Sequence, residues 1–270
     1  MKRAAVLGSP IKHSLSPTIH NAAYRRLGVD AMYDANEVDS QSLQSFLESK
    51  LPKSDRVGFS LTMPLKERIC EISEDLGISL DDRSLRISSV NTLYREGNAW
   101  KGTSTDVSGF SFLLKDYQFS SATIIGAGGT ARAAIEALDQ ECLINVVRRD
   151  VKREREIREA FPDRLISFTN WSELDQSWNR PLVILAVPIE ATSELESSFS
   201  PPEVLVDALY SPWMPPISRL QSASGMKLLS GIDLLCAQAL DQIRLMTSVA
   251  FDDFELFSYL KSVAEQALSR

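Results

Sequence analysis

Short apolar runs alternate with stretches of helical periodicity along most of this 270-residue chain. Strands are predicted at residues 3–7, 31–38, 56–61, 121–125, 143–147 and 182–187. Shorter candidates lie at residues 204–206 and 227–229. Amphipathic stretches at residues 42–50, 130–140 and 151–161 predict intervening helices, and a further helix is predicted from Pro64 to about Leu76. Because alternating strands and helices are typical of parallel sheets joined by right-handed crossovers, the pattern predicts an α/β fold.

The pattern changes after Thr105, and the length of the chain favours two domains over one. Before this point, turn residues 96–98 predict a hairpin, whereas the strands after it are short, apolar and of the buried type. From residue 232 onward the chain is almost wholly helical, with a break near Asp252. We therefore expect a first domain at residues 1–105, a second at 106–235, and C-terminal helices 236–270 packing back on the first.

Composition narrows the range of functions. The chain is 44% hydrophobic and 24% charged, which permits a large core. A net charge of −7 disfavours general binding to nucleic acid, and no apolar run reaches the ~18–20 residues that a membrane span needs. Three scattered cysteines without a Cys-x-x-Cys pair, and only two histidines, argue against a disulfide framework or a zinc site. We expect a cytoplasmic protein without a metal.

A glycine-rich turn follows the predicted strand at residues 121–125. It reads Gly126-Ala127-Gly128-Gly129, with Ala131 inside the helix that follows. In a dinucleotide-binding fingerprint the first glycine allows the tight turn, the second admits a pyrophosphate, and the helix N-terminus binds the phosphates. A purely structural glycine turn is the alternative.

Basic residues end the next predicted strand. Arg148 and Arg149 stand where an NAD-binding unit usually carries an acid for the ribose hydroxyls. Guanidinium groups suit a 2′-phosphate, so the pair favours NADP. The alternative is a solvated basic turn with Asp150 as a helix cap, and Asp150 is also the residue that argues for NAD.

The first half of the chain offers hydroxyls and one possible acid–base pair. Ser14 and Ser16 follow a predicted strand and could bind an anionic group, although Ser16 alone would also suit a helix cap. Lys66 and Asp106 are a possible proton-transferring and orienting pair. The alternative for Lys66 is a solvated lysine near a helix start.

Seven ordered segments together resemble the shikimate dehydrogenase family over nearly the whole chain. They include the serine-containing segment, the Lys66 segment and the glycine turn, and they lie at residues 8–21, 60–66, 89–93, 104–110, 126–133, 207–212 and 231–239. The resemblance implies an N-terminal α/β substrate domain with a mostly parallel sheet and a Rossmann-like NADP-binding domain. It also implies reversible NADP-dependent reduction of 3-dehydroshikimate to shikimate, a step of aromatic amino-acid biosynthesis.

Roles for individual residues follow from the same resemblance. It implies that Lys66 is the catalytic lysine and Asp106 its partner, and that Arg149 grips the adenosine phosphate. Hydroxyls that bind the substrate carboxylate would come from Ser14 and Ser16, with Tyr210 as a helper. Three further positions match residues that hydrogen-bond the ring hydroxyls: Thr62, Asn91 and Gln238.

Some positions depart from the family's pattern. Ser60 and Ser104 stand where asparagine is common, and Leu185 replaces another asparagine at the cofactor site. Two alternatives therefore stay open, namely a quinate/shikimate dehydrogenase that uses NAD and a non-catalytic nucleotide-binding paralogue. The expected partner is a small-molecule substrate, with neither nucleic acid nor membrane, and the chain is expected to be a monomer or homodimer.

Overall fold

The structure is a computed structural model that describes residues 1–269, and it divides into two compact units. The first comprises Met1–Gly109 and the residues from Leu235 onward, and the second comprises Phe110–Leu234. Asp106, which the expected boundary assigned to the second domain, lies in the first unit. Its carboxylate is paired there with Lys66.

The first unit contains a six-stranded mixed sheet. Its strands are β1 (Lys2–Gly8), β2 (Ala31–Glu37), β3 (Arg56–Leu61), β4 (Ile78–Leu80), β5 (Thr92–Glu96) and β6 (Ala99–Thr103). Their order in the sheet is β2-β1-β3-β5-β6-β4, with antiparallel pairing only where β5 meets its two neighbours. The helices between them are α1 (Ser16–Arg26), α2 (Leu43–Lys50), α3 (Leu65–Ile72) and α4 (Asp82–Arg86). Helix α5 (Thr105–Leu114) follows β6 and continues into the second unit.

The second unit is a doubly wound parallel sheet. Its strands are β7 (Ser121–Ile125), β8 (Leu143–Arg148), β9 (Ile166–Asn170), β10 (Leu182–Leu185), β11 (Val204–Asp207) and β12 (Lys227–Leu229), in the order β12-β11-β10-β7-β8-β9. All five pairings are parallel. Its helices are α6 (Gly129–Ala137), α7 (Lys152–Ala160), α8 (Thr192–Glu196) and α9 (Pro216–Ala223). Counted along the chain, this is the 3-2-1-4-5-6 order of dinucleotide-binding sheets.

The C-terminal helices α10 (Gly231–Thr247) and α11 (Asp253–Leu268) complete the first unit. Asp252 caps α11, because its carboxylate accepts the backbone N–H of Glu255 at 2.8 Å. The predicted break near Asp252 is therefore confirmed. So are the two-domain α/β class and the return of the terminal helices to the first unit, where α11 packs against α1.

Several local expectations were wrong. Ser16 does not cap α1: it is the first helical residue, and Ser14 Oγ accepts its backbone N–H at 3.3 Å. The helix predicted to reach residue 76 ends at Ile72 and is followed by turns. Strands β4 and β9 and helix α4 were not predicted. They are short or half-exposed and lack the continuous apolar run of the central strands.

Candidate active site

An ion pair between Lys66 and Asp106 is the centre of the candidate site in the first unit. Lys66 is the second residue of α3, and its Nζ donates to Asp106 Oδ2 at 2.5 Å. The lysine side chain is 19% exposed and the aspartate side chain only 5%. The ammonium group therefore reaches a surface while its carboxylate partner is enclosed, which suits a proton donor held in one orientation.

Asn91 anchors the other oxygen of Asp106. Its Nδ2 donates to Asp106 Oδ1 at 2.8 Å and to Gln238 Oε1 at 2.7 Å. Its Oδ1 accepts from the backbone N–H of Thr105 at 2.7 Å and from the hydroxyl of Thr92 at 2.9 Å. Asn91 is 1% exposed and both its amide hydrogens are used inside the protein. Its hydrogen bonds orient Asp106 and Gln238.

Gln242 extends this network from α10. Its Nε2 donates to Gln238 Oε1 at 3.0 Å and to Thr92 Oγ1 at 3.1 Å. Since the oxygen of Gln238 thus accepts hydrogen bonds from Asn91 and Gln242 inside the unit, and a longer one from Thr105, its Nε2 faces away from them. Within residues 1–269 that nitrogen donates to no protein acceptor. The arrangement leaves Gln238 as a donor for a bound hydroxyl group.

His20 ends the network inside the core. Its Nε2 lies 3.1 Å from Gln242 Oε1, and its ring stacks on Tyr33 with centroids 4.0 Å apart. Burial lowers the pKa of His20 to about 3, so the ring is neutral at physiological pH. The Tyr33 hydroxyl in turn donates to Ser60 Oγ at 2.6 Å. Ser60, which stands where asparagine is common in the family, therefore has a hydrogen-bond partner in the core.

The proposed carboxylate-binding serines belong to the same edge of the first sheet as Lys66. Strands β1 and β3 are parallel, with Leu7 opposite Leu61, so the segments that follow them leave the sheet together. These segments are joined where the Thr62 backbone N–H donates to the Leu7 carbonyl at 2.9 Å. Ser14 is half-buried and Ser16 is buried. Thr62 is half-buried.

The glycine turn of the second unit joins β7 to α6. Gly126 has a φ of +117°, and a β-carbon there would collide with the Ala186 carbonyl. Gly128 is the N-cap of α6, and a β-carbon there would meet no atom within 4 Å. The open space leaves the backbone N–H groups of the first turn of α6 accessible to an anion. This is the cradle that a pyrophosphate requires.

The two arginines at the end of β8 have different environments. Arg148 is 9% exposed and donates to Glu154 at 2.9 Å and also to Asn170, so its charge is already neutralised. Arg149 has a side chain that is 52% exposed. Of the predicted pair, Arg149 is therefore the guanidinium that lies at the surface. Asp150 accepts the Lys152 backbone N–H at 2.9 Å, although Val151 is the formal N-cap of α7.

Tyr210 lies in the second unit, after β11, and is half-buried. The adjacent Leu209 carbonyl would clash with a β-carbon at Gly231, so a glycine is needed at that position. The proposed help of Tyr210 in carboxylate binding stays a prediction.

Residues 1–269 contain neither a clustered set of metal ligands nor a helix suited to a membrane. No group of three or more His, Cys, Asp or Glu side chains in this range is placed to hold a metal ion. None of the helices in the same range combines the length and the apolar character that crossing a bilayer requires.

Gln242 and Thr105 were not singled out from the sequence. The spacing of Gln238 and Gln242, four residues apart on one helix face, is the signal that points to the first of them.

The fold and the site define a two-unit α/β protein with a dinucleotide-binding sheet and a lysine–aspartate pair. Residues 6–93 match the shikimate dehydrogenase substrate binding domain. A shikimate dehydrogenase (NADP(+)) of Brucella canis is 31% identical over 254 residues, covering 88% of this chain and 86% of the relative. The chain belongs to the shikimate dehydrogenase family.

Solved structures agree over the full length. Shikimate dehydrogenase of Mycobacterium tuberculosis superposes with a TM-score of 0.85 at 28% identity, covering 97% of this chain and 99% of the other. The enzyme of Thermus thermophilus, in complex with NADP(H) and shikimate, superposes with a TM-score of 0.82 at 29% identity, covering 99% and 100%.

Proposed function

We propose that this chain is a shikimate dehydrogenase that reversibly reduces 3-dehydroshikimate to shikimate with NADPH. The observation that carries the proposal is the Lys66–Asp106 ion pair, with a partly exposed lysine side chain and an enclosed carboxylate. Membership of the family supports the same activity. The cofactor supplies or accepts the hydride, and one proton must move to or from the oxygen at the reacting ring carbon.

Lys66 handles that proton in the proposal. During ketone reduction its ammonium group donates to the 3-oxygen, and in the reverse direction the neutral amine accepts the hydroxyl proton. Asp106 holds the ammonium through a 2.5 Å hydrogen bond and is itself held by Asn91. Because donor and orienting groups are fixed before substrate binds, no energy is spent on arranging them during the reaction.

Other residues position the substrate. Gln238 Nε2 and the Thr62 hydroxyl are the proposed donors and acceptors for ring hydroxyls, since the oxygen of Gln238 is engaged inside the unit. Ser14 and Ser16 are proposed to bind the carboxylate. Asn91 was expected to contact the substrate, but with both amide hydrogens used it is better assigned to positioning Asp106 and Gln238.

The hydrogen-bond donors and the positive charge of the second unit suit NADP. The glycine turn at Gly126, Ala127, Gly128 and Gly129, with open space at Gly128, suits the pyrophosphate, and the exposed Arg149 suits the 2′-phosphate. Arg148 is left out of the phosphate site because Glu154 and Asn170 occupy its guanidinium.

The assay follows nicotinamide absorbance with shikimate or quinate, each paired with NADP or NAD. We expect turnover with shikimate and NADP. We also expect Lys66→Ala to lower kcat by about 10²- to 10⁴-fold, the usual contribution of a positioned general acid, with little change in substrate KM. The matched control is Lys101→Ala, because Lys101 pairs with Glu96 on the exposed hairpin of the same unit.

Each other outcome has a defined meaning. Turnover only with quinate, or only with NAD, would keep the reaction class and overturn the proposed specificity. A kcat for Lys66→Ala equal to that of Lys101→Ala would refute the proposed role of Lys66. A folded protein that binds NADP but turns over neither substrate would be a non-catalytic paralogue.

We also propose a cytoplasmic location, which the three free cysteines support, since reduced thiols are typical of that compartment. Assembly as a monomer or homodimer stays a prediction.

A further inference from the structure

Three side chains of the second unit form a cluster at the carboxyl ends of β8 and β9. Arg149 follows β8, Trp171 follows β9, and Glu194 belongs to α8. Arg149 Nη2 donates to Glu194 Oε1 at 3.0 Å, and its guanidinium carbon lies 4.2 Å from the centroid of the Trp171 ring. Trp171 Nε1 donates to the other carboxylate oxygen of Glu194. Glu194 thus holds both partners at once.

This cluster lies at the edge of the sheet where the proposed function requires an anion site. The first strand of the dinucleotide-binding order, β7, ends at the glycine turn, and its neighbour β8 ends at Arg149. Arg149 is the exposed guanidinium at that strand end, since Arg148 is buried against Glu154. The cation proposed for the 2′-phosphate is therefore already paired with a carboxylate.

A carboxylate at this distance opposes a phosphate in two ways. It takes one of the guanidinium hydrogen-bonding positions, and its charge repels a dianion placed against the same arginine. It does not oppose a ribose 2′-hydroxyl, because a hydroxyl can donate to a carboxylate oxygen. NADP carries a phosphate at the 2′ position and NAD carries a hydroxyl there. Glu194 therefore opposes the binding of NADP more than that of NAD.

We propose that Glu194 is a specificity-determining residue that weakens binding of 2′-phosphorylated adenosine groups and so narrows the preference for NADP over NAD. The proposal rests on the proposed function, because it takes the end of β8 as the adenosine site. It concerns the affinity of the second unit for the adenosine portion of the cofactor.

The test measures binding instead of turnover. Isothermal titration of the full chain with adenosine 2′,5′-bisphosphate and with adenosine 5′-monophosphate compares a ligand that carries the 2′-phosphate with one that lacks it. Glu194→Gln keeps the shape of the side chain and removes its charge. Glu196→Gln is the matched control, because Glu196 is an exposed residue of the same helix and its replacement changes the net charge equally.

We expect Glu194→Gln to bind the bisphosphate about tenfold more tightly than the parent chain, and the monophosphate within about twofold. The gain should shrink at high salt, because exposed charges are screened. Glu196→Gln should leave both affinities within about twofold. An unchanged or weaker affinity of Glu194→Gln for the bisphosphate would overturn the proposal.

The proposal would also be overturned if Glu194→Gln increased the affinity for both ligands by the same factor, or if Glu196→Gln increased the affinity for the bisphosphate as much as Glu194→Gln does. The effect would then not depend on the 2′-phosphate or on the position of Glu194. Absence of bisphosphate binding by every variant would also overturn it. Turnover of shikimate, measured separately, decides the proposed function. A failure of one proposal can therefore be distinguished from a failure of the other.

Discussion

Replacing Asn91 with aspartate tests the hydrogen-bond directions around the candidate site. The two side chains have the same shape, but the donor Nδ2 becomes a carboxylate oxygen. That oxygen would face Asp106 Oδ1 and Gln238 Oε1, which lie 2.8 and 2.7 Å from Nδ2 in the parent. Two good hydrogen bonds would become two contacts between acceptors, one of them between like charges.

The expected loss of stability is set by whichever of two responses costs less free energy. Either both carboxylates stay ionised, or the pair binds a proton. With both carboxylates ionised, repulsion at this separation is roughly 6 kcal/mol at an effective dielectric constant of about 20. Binding a proton to the introduced carboxylate costs roughly 4 kcal/mol at pH 7 and roughly 1.5 kcal/mol at pH 5, starting from the aspartate pKa of about 3.9 in model peptides. The pair therefore takes up a proton, and the protonated oxygen restores the hydrogen bond.

This proton uptake determines whether the stability of the variant rises or falls with pH. The folded variant binds one proton more than its unfolded chain above about pH 4, so its free energy of unfolding falls as pH rises. Relative to the parent, we expect Asn91→Asp to be less stable by about 4 kcal/mol or more at pH 7. The deficit should be smaller by about 2.5 kcal/mol at pH 5. Asn91→Ala also loses the hydrogen bonds, and its deficit should be the same at both pH values because it adds no charge.

Urea unfolding of parent, Asn91→Asp and Asn91→Ala at pH 7 and pH 5, followed by circular dichroism, measures these differences. Contributions from the unaltered second unit cancel between variants. A deficit for Asn91→Asp that does not change with pH, or that equals that of Asn91→Ala at both values, would refute the orientation of Asn91 towards Asp106.

Three further outcomes are expected. Asp106→Asn should fold normally and lower kcat at least about tenfold, because the lysine loses its charged partner; a kcat equal to that of the parent would contradict this. His20, with a pKa lowered to about 3 by burial, is neutral in the folded chain and charged in the unfolded chain below pH 6.5. The parent should therefore lose about 2 kcal/mol of stability between pH 7 and pH 5 that His20→Gln does not lose, and equal losses in urea titrations would exclude this account. Gly126→Ala should lower the unfolding temperature because of its φ of +117° and the Ala186 carbonyl, whereas Gly128→Ala should melt like the parent but bind NADP more weakly. Identical melting of the two variants would contradict the assigned difference.

The sequence predicted the central strands better than the edges of the sheets. Strands β7 and β10 are wholly buried; β10 is an uninterrupted apolar run, and β7 ends in two isoleucines. Strand β9 is an edge strand with half-exposed residues, and β4 has three residues, so neither leaves such a run. The fold class could be predicted because the buried strands alone define it.

The candidate site was predictable as a set of residues but not as a set of hydrogen bonds. Motifs identify Asn91 and Gln238 separately, yet they are 147 positions apart and their contact decides which amide atoms remain for a ligand. In the same way, two adjacent arginines look equivalent in the sequence. Glu154 neutralises Arg148, and that pairing depends on where α7 places its side chains.

The first unit is built from two separate stretches of the chain, so its parts are synthesised at different times. Residues 1–109 emerge from the ribosome first, whereas Gln238 and Gln242 arrive after the whole second unit has been made. Until then, Asn91 lacks the acceptor for one amide hydrogen and His20 lacks its partner. A nascent N-terminal segment would have to bury these polar groups unpaired, which is unfavourable. The first unit is therefore expected to reach its stable form only after the last helices are complete, so Lys66 and Asp106, the proposed catalytic residues, are translated early and are expected to become ordered late.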